Sequence, residues 1–167
     1  WAEIGHDVAF GVRDPSDERH RDLGAVATVA GAVVGADAVL LALPWAAVES
    51  VATPLAVGDA VVMDATNPLA VNPRPAEVAD RSGAELIAQW TGSTRVVKAF
   101  NTTGSGNMGD PGYGDQRVLM PVTGDDADAK SIAIALADEI GFEGVDAGPL
   151  AASSDLEHVA TLWIRLA

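Results

Sequence analysis

The chain has 167 residues, is 49% hydrophobic, contains no cysteine and carries a formal net charge of −14. That suits one domain with a substantial core, and it excludes disulfides and thiolate chemistry. With Lys98 and Lys130 its only lysines, the acidic balance argues against nucleic acid or an anionic membrane as a partner. No apolar run is long enough to span a bilayer, since Ala25–Pro44 is broken by Gly31, Gly35 and Asp37. No basic, cleavable leader is legible at Trp1, so a cytoplasmic location is expected.

In chain order, a fragment of helix over Trp1–Ile4 ends in the turn Gly5-His6. A strand over Asp7–Val12 follows and is stopped by the breaker Asp14-Pro15. Ala25–Thr28 reads as a second strand and Val29–Gly35 as a short Ala/Val helix, although periodicity does not separate the two there. Asp37–Pro44 is a continuous apolar run, as in a parallel strand buried on both faces, and Trp45–Thr53 reads as the helix behind it. Ala60–Asp64 is the next buried strand.

Ser82-Gly83-Ala84-Glu85 has the spacing of a capping box and predicts a helix that ends near Gly92. Strands over Arg95–Phe100 and Arg117–Thr123 come next. The helix after them carries Ile132, Leu136 and Ile140 on one face and stops at Gly141. Phe142–Asp146 is the last strand. Ser154-Asp155-Leu156-Glu157 repeats the capping-box spacing and opens a helix with the stripe Leu156, Val159, Ala160, Trp163 and Leu166. That helix reaches Ala167 without a stop signal, so the chain is expected to be cut there.

Alternating strands and helices predict a Rossmann-like, doubly wound α/β domain with a mostly parallel sheet and helices on both faces. Ligands of such sheets bind beyond the carboxyl ends of the strands, which directs attention to the loops after Val12, Leu43, Ala65 and Phe100. The match to the dinucleotide pattern G-x-G-x-x-G, Gly104 to Gly109, lies in the wrong setting. It runs into Asp110-Pro111-Gly112, which cannot open the helix that would receive a pyrophosphate. A phosphate-binding loop is expected ahead of Trp1 instead.

After the first strand, Arg13 is placed to meet the adenosine ribose, where a guanidinium favours the 2′-phosphate of NADP. Asp14 and Asp17 oppose that reading, and Arg19 and Arg21 support it. Leu43-Pro44-Trp45 and Asn67-Pro68-Leu69 end the next two strands and can line a flat ring. Asn101, Thr102, Gly104 and Ser105 follow the fourth.

Together, Gly11-Val12-Arg13-Asp14-Pro15, Leu43-Pro44-Trp45, Asp64-Ala65-Thr66-Asn67-Pro68-Leu69, Lys98-Ala99-Phe100-Asn101-Thr102-Thr103-Gly104 and Ala147-Gly148-Pro149-Leu150 leading to Leu162-Trp163 form an ordered set. In that order and spacing the chain resembles the coenzyme F420-dependent NADP oxidoreductases over essentially its whole length. The resemblance implies a single NADP-binding domain over residues 1–167, with 148–167 the start of a small C-terminal extension that helps to enclose the deazaflavin, in a homodimer. It implies that Arg13 holds the 2′-phosphate and that the backbone around Leu43-Pro44 borders the ribose and nicotinamide. Asn67-Pro68 would then lie at the cleft, and Asn101 to Ser105 would touch the carboxamide and the second ring. Val12 and Asp17 depart from residues that many members use around the phosphate, and the members' first strand and glycine-rich turn precede Gly5-His6.

The implied reaction is hydride transfer between NADP(H) and coenzyme F420. Two stacked rings at close range need no side-chain acid or base, so no catalytic side chain is assigned. His6, His20 and His158 are scattered and read as turn or helix-surface residues, and no metal cluster is legible. Three other readings remain. One is a reductase of the same fold acting on FMN, FAD or another small molecule. Another is an imine or hydroxyacid reductase, which would need an added helical domain. The third is a non-catalytic dinucleotide-binding module or inactive fragment.

Overall fold

The computed structural model describes residues 1–69 and 81–166. Among the described residues the seven strands and five helices expected from the sequence are present, most with ends one to three residues shorter, and the short strand pair over Gly112–Tyr113 and Gln116–Arg117 is an addition that the sequence reading did not contain. Strand β1 (Ala9–Val12) pairs in parallel with β2 (Ala25–Thr28), in register from Ala9 with Ala25 to Val12 with Thr28. Thr28 then caps helix α1 (Val29–Val33), its Oγ1 accepting from the Gly31 N–H at 3.1 Å. A Cβ on Gly11 would lie 3.2 Å from Val29 Cα and from Ala32 Cβ, so a bare backbone there lets α1 settle on β1.

The larger sheet begins with β3 (Ala38–Leu41), β4 (Val61–Asp64) and β5 (Val96–Lys98), all parallel. A two-stranded hairpin, β6 (Gly112–Tyr113) with β7 (Gln116–Arg117), follows β5 in the chain. Strand β8 (Leu119–Gly124) joins β5 in the antiparallel sense, and β9 (Glu143–Asp146) lies parallel to β8, giving the order β3-β4-β5-β8-β9. Among the described residues, β1 pairs only with β2 and β3 only with β4, so each keeps one edge without a strand partner.

Helices α2 (Trp45–Ala52), α3 (Gly83–Thr91), α4 (Ala127–Glu139) and α5 (Ser153–Leu166) cover the sheet. The period of two in the strands sorts their side chains into two cores. Val61, Met63, Val97, Met120, Val122 and Phe142 pack with α4, while Val62 and Val96 pack with Leu41, Val48, Ala84 and Ile87 on the opposite face. Val33 of α1 belongs to the second cluster, and Trp1 joins the first, donating from Nε1 to the Leu136 carbonyl at 2.8 Å and meeting Phe100 edge-on. The smaller sheet is thereby anchored to the larger one.

The capping box at α3 forms as expected. Ser82 Oγ accepts from the Glu85 N–H at 3.2 Å, Glu85 Oε2 accepts from the Ser82 N–H at 2.7 Å, and Gly92 ends the helix at φ 67°. Two helix faces differ from the sequence reading. The buried stripe of α4 is Ala129, Ala133 and Ala137; of the expected face, Leu136 and Ile140 are half-buried against the first core, whereas Ile132 is 40% exposed. Close approach explains this: a Cβ on Gly144 of β9 would fall 2.9 Å from the Ile134 carbonyl oxygen, a separation that only small facing residues permit. Helix α5 starts at Ser153, after a 3-10 turn over Leu150–Ala152, and the second capping box does not form. Ser154 Oγ donates to the Ala151 carbonyl, and Glu157 points inward. The buried side of α5 is Ser153, Leu156, Glu157, Ala160 and Thr161, with Val159 half exposed and Leu166 largely exposed. Ala167, where the helix was expected to reach, lies outside the described residues.

Candidate functional site

Strands β4 and β5 each finish a run of buried apolar residues with a charge. Asp64 and Lys98 are direct neighbours in the parallel register, and both are fully buried. A buried ammonium survives only with its donors used and its charge matched, and Lys98 Nζ meets that condition. It donates to Asp64 Oδ2 at 2.8 Å, to the Thr66 carbonyl at 2.7 Å and to Glu157 Oε1 at 2.9 Å. The other oxygen of Asp64 accepts from the Thr66 N–H at 2.8 Å and from its hydroxyl at 2.7 Å, which fixes the turn leading to Asn67. Glu157 comes from α5, 59 residues further along the chain than Lys98. Its Oε1 also takes the Gly83 N–H at 2.9 Å, the first amide of α3, where the helix dipole favours an anion. One cation thus faces two carboxylates. Burial pushes the Glu157 carboxyl above its usual range, a cost that the adjacent Lys98 only partly offsets.

Beyond the strand ends, the loops meet through amides. Asn101 Nδ2 donates to Asn67 Oδ1 at 3.0 Å, and Asn67 Nδ2 donates to the Asn101 carbonyl at 3.2 Å. Asn101 is buried, yet its Oδ1 has no hydrogen-bond donor. The residue before it, Phe100, holds φ at 63°, the only positive φ outside glycine among the described residues, and its N–H meets Met120 Sδ at 3.0 Å. Further on, Gly104 lies under the indole of Trp163, whose ring carbons would stand 3.6 and 3.8 Å from a Cβ there. Trp163 Nε1 is likewise buried without a partner. Gly104 to Gly109 forms only a 3-10 turn over Ser105–Asn107, which agrees with its reading as a misplaced dinucleotide pattern.

The other residues singled out in the sequence are placed as follows. Arg13 is exposed just after β1 and makes no hydrogen bond or ion pair among the described residues. Arg19 and Arg21 are engaged by Asp17 and Glu18. Leu43 is half-buried, and Pro44 is exposed at the N-terminus of α2. The Trp45 ring packs on Trp90, 5.6 Å between centroids, and against the start of α3, so it braces two helices. Pro68 is buried beside the half-buried Asn67, Thr102 is half-buried, and Ser105 is exposed on the 3-10 turn. Asn67 and Asn101 are thus in contact, and Gly104 meets Trp163.

Sequence reasoning missed the ion cluster. Asp64 and Lys98 stood inside the motifs without a role, and Glu157 was taken for a helix cap. A usable signal existed, since a lysine or aspartate that finishes a wholly apolar strand must find a buried partner. Among the described residues, no group of His, Asp and Glu is disposed to hold a metal, and no helix is long and apolar enough to cross a membrane.

No family model matches the chain. Among solved structures, it is similar to a protein from an Arthrobacter species described provisionally as an F420-dependent NADP reductase. The TM-score is 0.86 at 26% identity, covering 99% of this chain and 84% of that one. A protein of unassigned function from Sinorhizobium meliloti aligns with a TM-score of 0.71 at 30% identity, over 77% of this chain and 64% of that one. A reductive aminase from Aspergillus terreus, solved with NADPH and ethyl levulinate, shares the fold with a TM-score of 0.65 at 19% identity; this chain spans 54% of its length. The resemblance read from the ordered motifs is therefore matched by a structure of that description across nearly the whole chain, and the fold is the Rossmann-like one of NADP-dependent reductases.

Proposed function

From that end-to-end likeness, we propose that the chain is an oxidoreductase domain that binds NADP(H) and exchanges a hydride with coenzyme F420, as a homodimer. The supporting observation is positional. Arg13, Leu43-Pro44, Asn67-Pro68 and Asn101 to Ser105 each lie just past the carboxyl end of a parallel strand, ending respectively at Val12, Leu41, Asp64 and Lys98. Ligands of open α/β sheets are held there.

The residues present fit such a ligand at two points. Among the described residues, Arg13 offers a 2′-phosphate a guanidinium without a partner, and Asn101 Oδ1 is a buried acceptor without a donor, suited to a carboxamide N–H. NADP and the deazaflavin, when bound, supply the hydride donor and acceptor between them. The protein's part is to hold and to exclude. Arg13 binds the phosphate, the Leu43-Pro44 backbone borders the ribose and nicotinamide, and the Asn67–Asn101 pair orients the carboxamide. Gly104 and Trp163 close the far side against water. No side chain need move a proton, and Lys98, the only buried cation near these loops among the described residues, has all three donors committed within the protein.

The test is a pair of titrations with NADPH and NADH, followed by an assay of F420 absorbance loss with NADPH. NADPH should bind more tightly, and Arg13→Ala should remove the preference while leaving NADH binding unchanged. A folded protein that binds neither nucleotide overturns the proposal, and sedimentation velocity tests the dimer.

A further inference from the structure

The two loops and the helix that meet at the proposed ring site have one common anchor, and it lies outside the site itself. Lys98 leads through Phe100 to Asn101, the Thr66 carbonyl that it binds leads to Asn67, and the Glu157 that it binds leads along α5 to Trp163. Glu157 ties three elements together here, its Oε1 joining α5 to the end of β5 through Lys98 and to the first amide of α3 through Gly83. Trp163 follows it by six residues, on the stretch of helix that covers Gly104.

We propose that Glu157, held by Lys98 and Asp64, is a positioning residue that seats α5, and with it Trp163, over the Gly104 loop where the cofactor rings meet. The inference rests on the cleft reading above for its ligand and on the ion cluster for its mechanism. Glu157 touches no reacting atom. Its carboxylate fixes the height and rotation of α5, and a shift of the helix would move the Trp163 indole off Gly104 while the sheet stayed intact. A seal so displaced would loosen nucleotide binding in a way that lost stability alone does not.

The experiment compares wild type, Glu157→Gln, Glu157→Asp and Glu157→Ala at a temperature well below their unfolding midpoints. It reads the NADPH dissociation constant and the emission of Trp163, assigned by difference with the same proteins carrying Trp163→Phe. Gln keeps an acceptor for Lys98 and Gly83, so both readouts should stay close to wild type. Ala should weaken NADPH by about tenfold or more, as misplacement of a positioning group does, and should shift the Trp163 emission to the red with greater quenching by acrylamide. Asp, shorter by one methylene, should fall between them, and it carries the test if the Ala variant does not fold. Lowered unfolding temperatures with wild-type Trp163 emission and wild-type NADPH affinity would overturn the inference. Failure of the wild type to bind NADPH overturns the proposed function instead, and the Trp163 emission still decides whether Glu157 seats the helix.

Discussion

Removing the ammonium from the cluster by Lys98→Met should be among the costliest single changes in this chain. Methionine nearly matches the lysine stem in length, so little cavity is created and the loss is electrostatic. Three hydrogen bonds of 2.7 to 2.9 Å disappear, and Asp64 Oδ2, the Thr66 carbonyl and Glu157 lose their shared donor in a site with no water exposure at the lysine. Breaking a buried pair in this way costs about 3–5 kcal/mol. At roughly 2.1 cal/mol/K per residue, a chain of this length has an unfolding entropy near 0.35 kcal/mol/K, so the midpoint should fall by about 9–14 °C. The assay is urea denaturation at neutral pH beside a thermal melt. Adding Asp64→Asn and Glu157→Gln to Lys98→Met removes the stranded charges and should recover part of the loss. A cost below about 1 kcal/mol for Lys98→Met, the level of an exposed pair, would refute the view that this cluster is dry and mutually dependent.

The same cluster gives a pH signature. Because burial raises the Glu157 carboxyl above its ordinary value of 4.5, the native state holds a proton that the unfolded chain has already released. The stability from this group is therefore complete below 4.5 and is lost as pH rises through the raised native value. The difference in unfolding midpoint between Glu157→Gln and wild type should grow in favour of Gln as pH rises above 4.5, and a difference that does not vary with pH would contradict it. Asp14, Asp17 and Asp146 have lowered values, Asp17 to about 2 through Arg19, so their contribution is lost only at more acid pH and cancels in the comparison. Ala133→Leu, in the small-residue face of α4, should cost about 1–3 kcal/mol by overpacking. If the stripe at Ile132 formed the true interface instead, urea denaturation would find the leucine neutral or stabilising.

Most of the fold was legible because its signals are local. Apolar runs ending in Pro or Asp mark buried strands, Ser82 with Glu85 marks a cap, and Gly92 and Gly141 mark helix ends, each at a positive φ. The faces of α4 and α5 were legible only in part, with Leu136, Ile140, Leu156 and Ala160 turned toward the core as read but Ile132 and Val159 exposed, since hydrophobic periodicity assumes that the larger residues turn inward. Along α4 the approach of β9 at Gly144 rewards alanine, and along α5 a carboxylate takes an inward position because Lys98 waits there. Glu157 also satisfied a capping pattern by coincidence, three residues after a serine. The site divides in the same way. Strand-end loops can be read from the chain, but the meeting of Asn67 with Asn101, of Gly104 with Trp163, and of three charges from β4, β5 and α5 depends on tertiary placement.

The exposed apolar side chains of β1 and β3 have a colloidal consequence. Phe10 and Leu40 lie on these strands as exposed large apolar residues, surfaces on which two copies of a chain can meet. The charge of −14 keeps copies of the chain apart. That guard is only as long as the ionic atmosphere allows, about 10 Å in 0.1 M salt and about 3 Å in 1 M. It vanishes near the sequence isoelectric point of 4.3. Acidity in this chain thus acts as a spacer between apolar side chains, and mild acid or strong brine would turn the same fold from a solute into the seed of an assembly.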